Sequence, residues 1–529
     1  GSLNAINGGD IDASTLGQGN AGSVNIVARD IAFDGETPDG FGSGASSIVD
    51  VGAEGNTEGI TISTNNLTLT NGGRVSTSRL GQGNAGQINI IATENITATG
   101  ETSGSLPSGV FSQVNFGAVG DAGGIKISSN NLALTNGGSI SATTLGRGNA
   151  GAVEINATGN ITFDGESSRS IPSGVFSQVN PGAVGNAGGV KIFTSNLTLS
   201  NGGRATSDTL GRGNAGVTNI TANGDISIDG QNSMGFNSGV SSQVGDGAVG
   251  NAGGVTISTN NLTLTNGGGI GASTFSEGNA GIANITAKEN IIIDGEDSDG
   301  FTSGINSQSN PVAKGDAGGV IISTNNLTLT NGGQIDASIG GQGNGGSVNI
   351  TATGDIVFDG QNSEGLRSGA TSIVGDSAVG DAGGVTISTN NLTLTNGGRV
   401  SASTLGQGKA GELEIGANAL NLDNNAVISS QSESTFKAGD ITLNIANSLE
   451  AKDSEISTSS TQSSGGNLTI AAGDIRLRGD SDLRTDINSG AGGGGNIDVT
   501  ADSVIAFDDS DIFAFAADGR GGNITLDTP

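Results

Sequence analysis

Asn65-Asn66-Leu67-Thr68-Leu69-Thr70-Asn71-Gly72-Gly73 is the stretch whose reading decides the fold, because it returns nearly unchanged at one fixed spacing. Its Asn-Gly-Gly falls at Asn71, Asn136, Asn201, Asn266, Asn331 and Asn396, always 65 residues apart, with an earlier copy at Asn7 one residue closer. A fixed period of this kind means a repeat architecture. Within the stretch Leu67 and Leu69 alternate with Asn66, Thr68 and Thr70, the period of two expected of a half-buried strand. Asn, Thr and Gly at this density oppose a helix, and Asn-Gly-Gly supplies the positive φ angles of a tight bend.

A second anchor divides each period: Ala85-Gly86-Gln87-Ile88-Asn89-Ile90, Ala122-Gly123-Gly124-Ile125-Lys126-Ile127 and Ala150-Gly151-Ala152-Val153-Glu154-Ile155, spaced alternately 37 and 28 residues. Each period is thus a long and a short turn with three strand-like pieces apiece. In the short turn after Ala122 these are Ile125-Lys126-Ile127, Leu132-Ala133-Leu134 and Ile140-Ser141-Ala142. Repeated three-strand turns without helical segments predict an all-β parallel β-helix, a β-solenoid of about 16–18 turns. The 17 anchors from Ala21-Gly22 to Gly521-Gly522 enclose 16 turns, which gives a rod of roughly 80 Å at about 4.8 Å per turn. Leu67, Leu132, Leu197, Leu262, Leu327 and Leu392 should form one inward column, and Ile62, Ile127, Ile192, Ile257, Ile322 and Ile387 another. Residues 1–409 carry the double-turn repeats with lateral inserts; residues 410–529 continue the solenoid with plain turns of 27–29 residues.

Composition excludes several classes. The 529 residues include 97 Gly and only 6 Pro, with no Cys, His, Trp or Tyr. There is therefore no zinc, haem or iron–sulfur site of the usual ligand types, no thiol nucleophile and no Ser-His-Asp arrangement. A formal net charge of -31, thinly spread over a chain with 13% charged residues, disfavours nucleic acid and anionic membranes as partners by simple repulsion. No run of about 18 apolar residues is present, so no membrane insertion is expected, and an export signal is expected outside these residues.

Three features are candidates for function. Asn66, Asn131, Asn196, Asn261, Asn326 and Asn391 recur at a bend; several match the glycosylation sequon in form, but an amide ladder is the plainer reading. The long turns carry an insert that opens with Asp-Gly, as at Asp34, Asp164, Asp229, Asp294 and Asp359. Asp-Gly is first a turn; loose Ca²⁺ binding is the other reading, although no loop gathers the six or more oxygens the ion prefers. No cofactor is expected. Each insert also presents one large apolar residue, Phe41, Leu106, Ile171, Phe236, Phe301 or Leu366. These should fold back on the solenoid as a small secondary core, or else form a lateral ridge for association. In the last turns Arg476, Arg478, Asp480, Asp482, Arg484 and Asp486 fall on outward strand positions. They are the best catalytic candidates in the chain, and a surface charge ladder is favoured over them.

The run from Leu67 to Gly73, continued by Leu80-Gly81-Gln82-Gly83-Asn84-Ala85-Gly86 and Ile88-Asn89-Ile90, resembles the repeats of filamentous-haemagglutinin-like exoproteins, particularly large cyanobacterial ones. The likeness covers essentially the whole chain. It implies a right-handed β-helix, two-partner secretion across an outer membrane, and a role as an adhesin or extracellular fibre. The family's N-terminal secretion domain is not visible, which leaves the export route open, and leaves open whether the chain is a whole subunit or an interior section of a larger protein.

The expected function is therefore that of a structural, non-enzymatic, extracellular or cell-surface β-solenoid, a fibre or adhesin stalk with cell-surface glycans as possible partners. The alternative is a β-helix that binds or degrades matrix polysaccharide. Aligning Asp509-Ser510-Asp511-Ile512 with Asp480-Ser481-Asp482-Leu483 puts Ile512 and Ala514 inside, and Phe513 and Phe515 outside as a self-association site. Phe513 has a second reading, as a cation–π partner of Arg484. End-to-end assembly is expected too, because Leu3 lies in an incomplete first turn and Ile524 and Leu526 in a first-strand segment that would complete it.

Overall fold

Alternation does make strands here. Asn66–Thr70 is a strand in which Leu67 and Leu69 are fully buried while Asn66, Thr68 and Thr70 are half-buried. The computed structural model describes residues 1–489 and 493–528. They are all-β, without a helix among the described residues, in a solenoid-like arrangement of long parallel sheets. They divide into two compact units, Gly1–Asn260 with Gly268–Gly271, and Asn261–Gly267 with Ala272–Pro529.

In the first unit every ladder is parallel and in register. One ladder joins Leu3, Ile31, Leu67, Ile96, Leu132, Ile161, Leu197 and Ile226 as successive partners. A second joins Ile26, Ile62, Ile90, Ile127, Ile155, Ile192, Ile220 and Ile257. A third, of three-residue strands, joins Ile11, Ala45, Val75, Val110, Ile140, Val175, Ala205, Val240 and Ile270. The expected Leu and Ile columns are thus interleaved with residues of the long turns, and all of those expected column residues are buried.

The second unit repeats this pattern from Ala283–Asp294 onward, with Ile291, Leu327, Ile356, Leu392 and Leu420 in one ladder. Ala283–Asp294 already joins the two longer strands of a turn into one, and Leu413–Asp423, Ile441–Lys452 and Leu468–Arg478 do so again. Register shifts at Ala417/Ala419 and Ile445/Ser448 mark the junction in the later turns.

The bends are built by Asn-Gly-Gly as expected. Asn71 has φ 50° and Gly72 φ 91°, and the equivalent pairs up to Asn396-Gly397 keep the same left-handed angles. The Gly72 N–H donates to Ser108 Oγ (2.9 Å), and Gly137, Gly202 and Gly332 donate likewise to Ser173, Ser238 and Ser368. Each of these serines is fully buried.

Candidate functional site

Each insert is a minute hairpin closed by one antiparallel bridge, Glu36 to Gly42, Glu101 to Pro107, Glu166 to Pro172, Gln231 to Asn237, Glu296 to Thr302 and Gln361 to Arg367. Thr99-Gly100 opens the second insert, and where an insert opens with Asp, as at Asp34, Asp164 and Asp359, that Asp is committed to the adjoining bend. Asp34 Oδ1 accepts from Thr70 Oγ1 (2.5 Å) and Asn71 Nδ2 (2.8 Å), and Asp164 accepts from Ser200 (2.6 Å) and Asn201 (2.8 Å). Asp359 does the same with Thr395 and Asn396. These carboxylates therefore serve as turn caps, and no group of three or more acidic residues suited to a metal occurs among the described residues.

The inserts also reach one another. Glu36 accepts from the Ser103 backbone N–H (3.0 Å), Glu101 from Ser168 (2.9 Å), Glu166 from Ser233 (3.0 Å) and, in the second unit, Glu296 from Ser363 (3.1 Å). Sequence reasoning missed this chain of links, although the recurrence of Glu after Asp-Gly was visible.

The expected secondary core is not formed. Phe41, Leu106, Ile171, Phe236, Phe301 and Leu366 all stand exposed, from 38% for Ile171 to 70% for Phe41. Five residues between the bridged ends are too few to fold the tip back over the sheet. Within each unit these side chains stand exposed on their inserts, and in the first Phe236 lies beside the Arg204 guanidinium (5.5 Å).

Beside the ridge in the first unit runs a groove of about 350 Å³. Its floor is the outward face of the three-residue strands around Ser46 and Ser76, and Phe41 and Leu106 form part of its wall. Arg74 lies in this floor, stacked on the Phe111 ring at 4.3 Å, and burial lowers its pKa to about 10. Gln113 Nε2 donates to Ser141 Oγ (3.2 Å), and Asp10 accepts from Ser46 Oγ (3.0 Å).

Asparagine stacking takes the amide-ladder form. Asn131 Nδ2 donates to Asn95 Oδ1 (3.0 Å) and Asn196 Nδ2 to Asn160 Oδ1 (2.9 Å); Asn326 donates to Asn290 (3.1 Å) and Asn391 to Asp355 (2.8 Å). The long-turn members Asn95, Asn160, Asn290 and Asp355 were not foreseen.

The charge cluster of the last turns is a set of pairs. Arg476 faces Glu450 (3.5 Å), Arg478 lies over Phe507 (5.8 Å), and Arg484 contacts Glu455 (3.8 Å). Asp486 is buried, and Arg484, two residues before it on the same strand, clamps it through Nε and Nη2 at 3.1 and 3.0 Å. That hydrogen bond chiefly raises the Arg484 pKa, while burial raises that of Asp482.

Phe513 is half-buried with the Arg484 guanidinium 5.4 Å from its ring, whereas Phe515 is exposed. Ile512 and Ala514, expected inside, are only half-buried. Leu3 is half-buried, and Ile524 and Leu526 are exposed in a strand paired to Ile497 and Val499.

Arg79 was missed altogether. It takes the interior position held by Val49 and Val114 in neighbouring turns, is fully buried, and donates from Nη2 to Gly55 O (2.7 Å). Burial lowers its pKa to about 10. An Arg aligned with Val was the sign in the sequence.

Comparison with known proteins yields no matching family model, no matching curated protein and no matching solved structure.

Proposed function

We propose that this chain is a right-handed parallel β-helix, three strands to the turn over about 16–18 turns, and that it works as a structural extracellular fibre or adhesin stalk at a cell surface. The role follows the filamentous-haemagglutinin-like exoproteins that its repeats resemble. The observation that carries the reading is the in-register stacking within each unit, where aliphatic residues fill one column turn after turn. Such uniformity suits length and stiffness, while chemistry needs a departure from it at one place. The charges that depart most, around Arg484, are paired with one another.

Assembly is end to end in this reading. Ser2–Ile6 and Ile524–Asp527 each have one partner strand among the described residues. An open parallel edge takes a further strand, from a second copy or from more of the same polypeptide, and the head-to-tail contact repeats without closing. Electron microscopy of the purified chain should show filaments or particles joined at their ends. Separate particles at high protein concentration would overturn the assembly.

A further inference from the structure

We propose that the groove beside the first inserts binds a uronate-containing polysaccharide, with Arg74 holding a sugar carboxylate. Arg74 makes no ion pair and no side-chain hydrogen bond among the described residues, and its Nε is shut away from solvent without a partner. Lys126, Lys191, Arg476 and Arg484, by contrast, each lie beside a carboxylate in a chain of net charge -31. A desolvated cation without a counter-charge is costly, and an anion that comes with the ligand removes that cost. The Phe111 ring 4.3 Å away fixes the plane of the guanidinium. A planar fork held in this way suits the two oxygens of a carboxylate better than a point charge would.

The rest of the groove suits a sugar. Phe41 and Leu106 offer exposed apolar surface for the C–H face of a pyranose, and Asp10, Ser78 and Gln113 offer polar groups for its hydroxyls. The lining comes from successive partners of one ladder, Asp10 with Gly44 and Gly44 with Arg74, so the groove runs across several strands and accommodates a polymer. Nucleic acid fits less well, because its dense phosphates would meet one cation on an acidic protein.

The site is independent of filament formation, and its test reads binding in solution. Isothermal titration of the full chain with an α-1,4-linked hexagalacturonate should show binding, and maltohexaose should bind about tenfold more weakly or less, since the charge-assisted fork is lost. Arg74→Gln should reduce hexagalacturonate affinity to the maltohexaose level, and Arg74→Lys should restore part of it. Phe41→Ala should weaken both sugars alike. Ser76→Glu, which places a carboxylate on the same strand face as Arg74, should abolish the preference without emptying the floor, and covers the case in which Arg74→Gln fails to fold. No binding at millimolar hexagalacturonate, affinity indifferent to both Arg74→Gln and Ser76→Glu, or tighter binding of an oligothymidylate would overturn the proposal.

Discussion

Asp208 is a carboxylate held inside a polar pocket of the first unit, where it accepts from Ser241 Oγ (2.9 Å), the Gln243 backbone N–H (2.9 Å) and Gln178 Nε2 (3.3 Å), with Arg204 nearby. Burial outweighs these bonds and raises its pKa above the ordinary carboxylate range. A carboxyl with a raised folded-state pKa contributes most below its unfolded pKa, and that contribution is lost as pH rises through the folded value. Asp208→Asn removes the titration. Thermal melts of the two proteins should therefore diverge as pH rises from about 4 to 8, the variant gaining relative to the parent. A constant gap would show that Asp208 does not titrate in the fold.

The inserts show what a side-chain link does for an element with little packing of its own. Glu166 Oε1 is the acceptor for Ser233 N–H, 67 residues on, in a bond at the surface. Glu166→Ala should leave the melting temperature within about 1 °C, because exposed links contribute little to global stability. Hydrogen exchange at residues 232–236 should nevertheless speed up, and unchanged exchange there would dismiss the link. Much at this scale was legible in advance. Leu67 and Leu69 had to be inward once their alternation was seen, and Asn71 had to turn the chain once Gly72 followed it. The buried serines were not. Ser43, Ser108 and Ser173 each precede a Gly in what reads as loop composition, and the hydroxyl enters the interior only because the hairpin before it closes. Gly109 is obligatory there, since a Cβ would lie 1.8 Å from Ser139 O. The ridge misled for the opposite reason: apolarity predicts burial only where enough chain is present to cover the residue. Nor did the groove announce itself, because Arg74, Phe111 and Phe41 meet through register and not through proximity in sequence.

For the molecule as a whole, charge sets the terms of association. A net -31 repels other copies, and ion ladders such as Lys126–Glu154–Lys191, at 3.9 Å per step, neutralise little of it. Raising salt from about 10 mM to 150 mM shortens the screening length from about 30 Å to 8 Å. Assembly through strand edges and the apolar ridge should therefore grow with salt, which light scattering will follow; a fall with salt would point to ionic contacts instead.

The bends carry one more consequence, for chemical ageing. Asn-Gly is the dipeptide in which the glycine nitrogen most readily attacks the preceding amide carbon, closes a succinimide ring and releases ammonia. At Asn71-Gly72 the attacking nitrogen is bound to Ser108 Oγ and the amide nitrogen to Asp34 Oδ1. Asn201-Gly202 and Asn331-Gly332 are tied in the same manner by Ser238 with Asp164 and by Ser368 with Asp294. The bonds that set each corner must break before its ring can close, so the corners that shape the fold also guard it against deamidation.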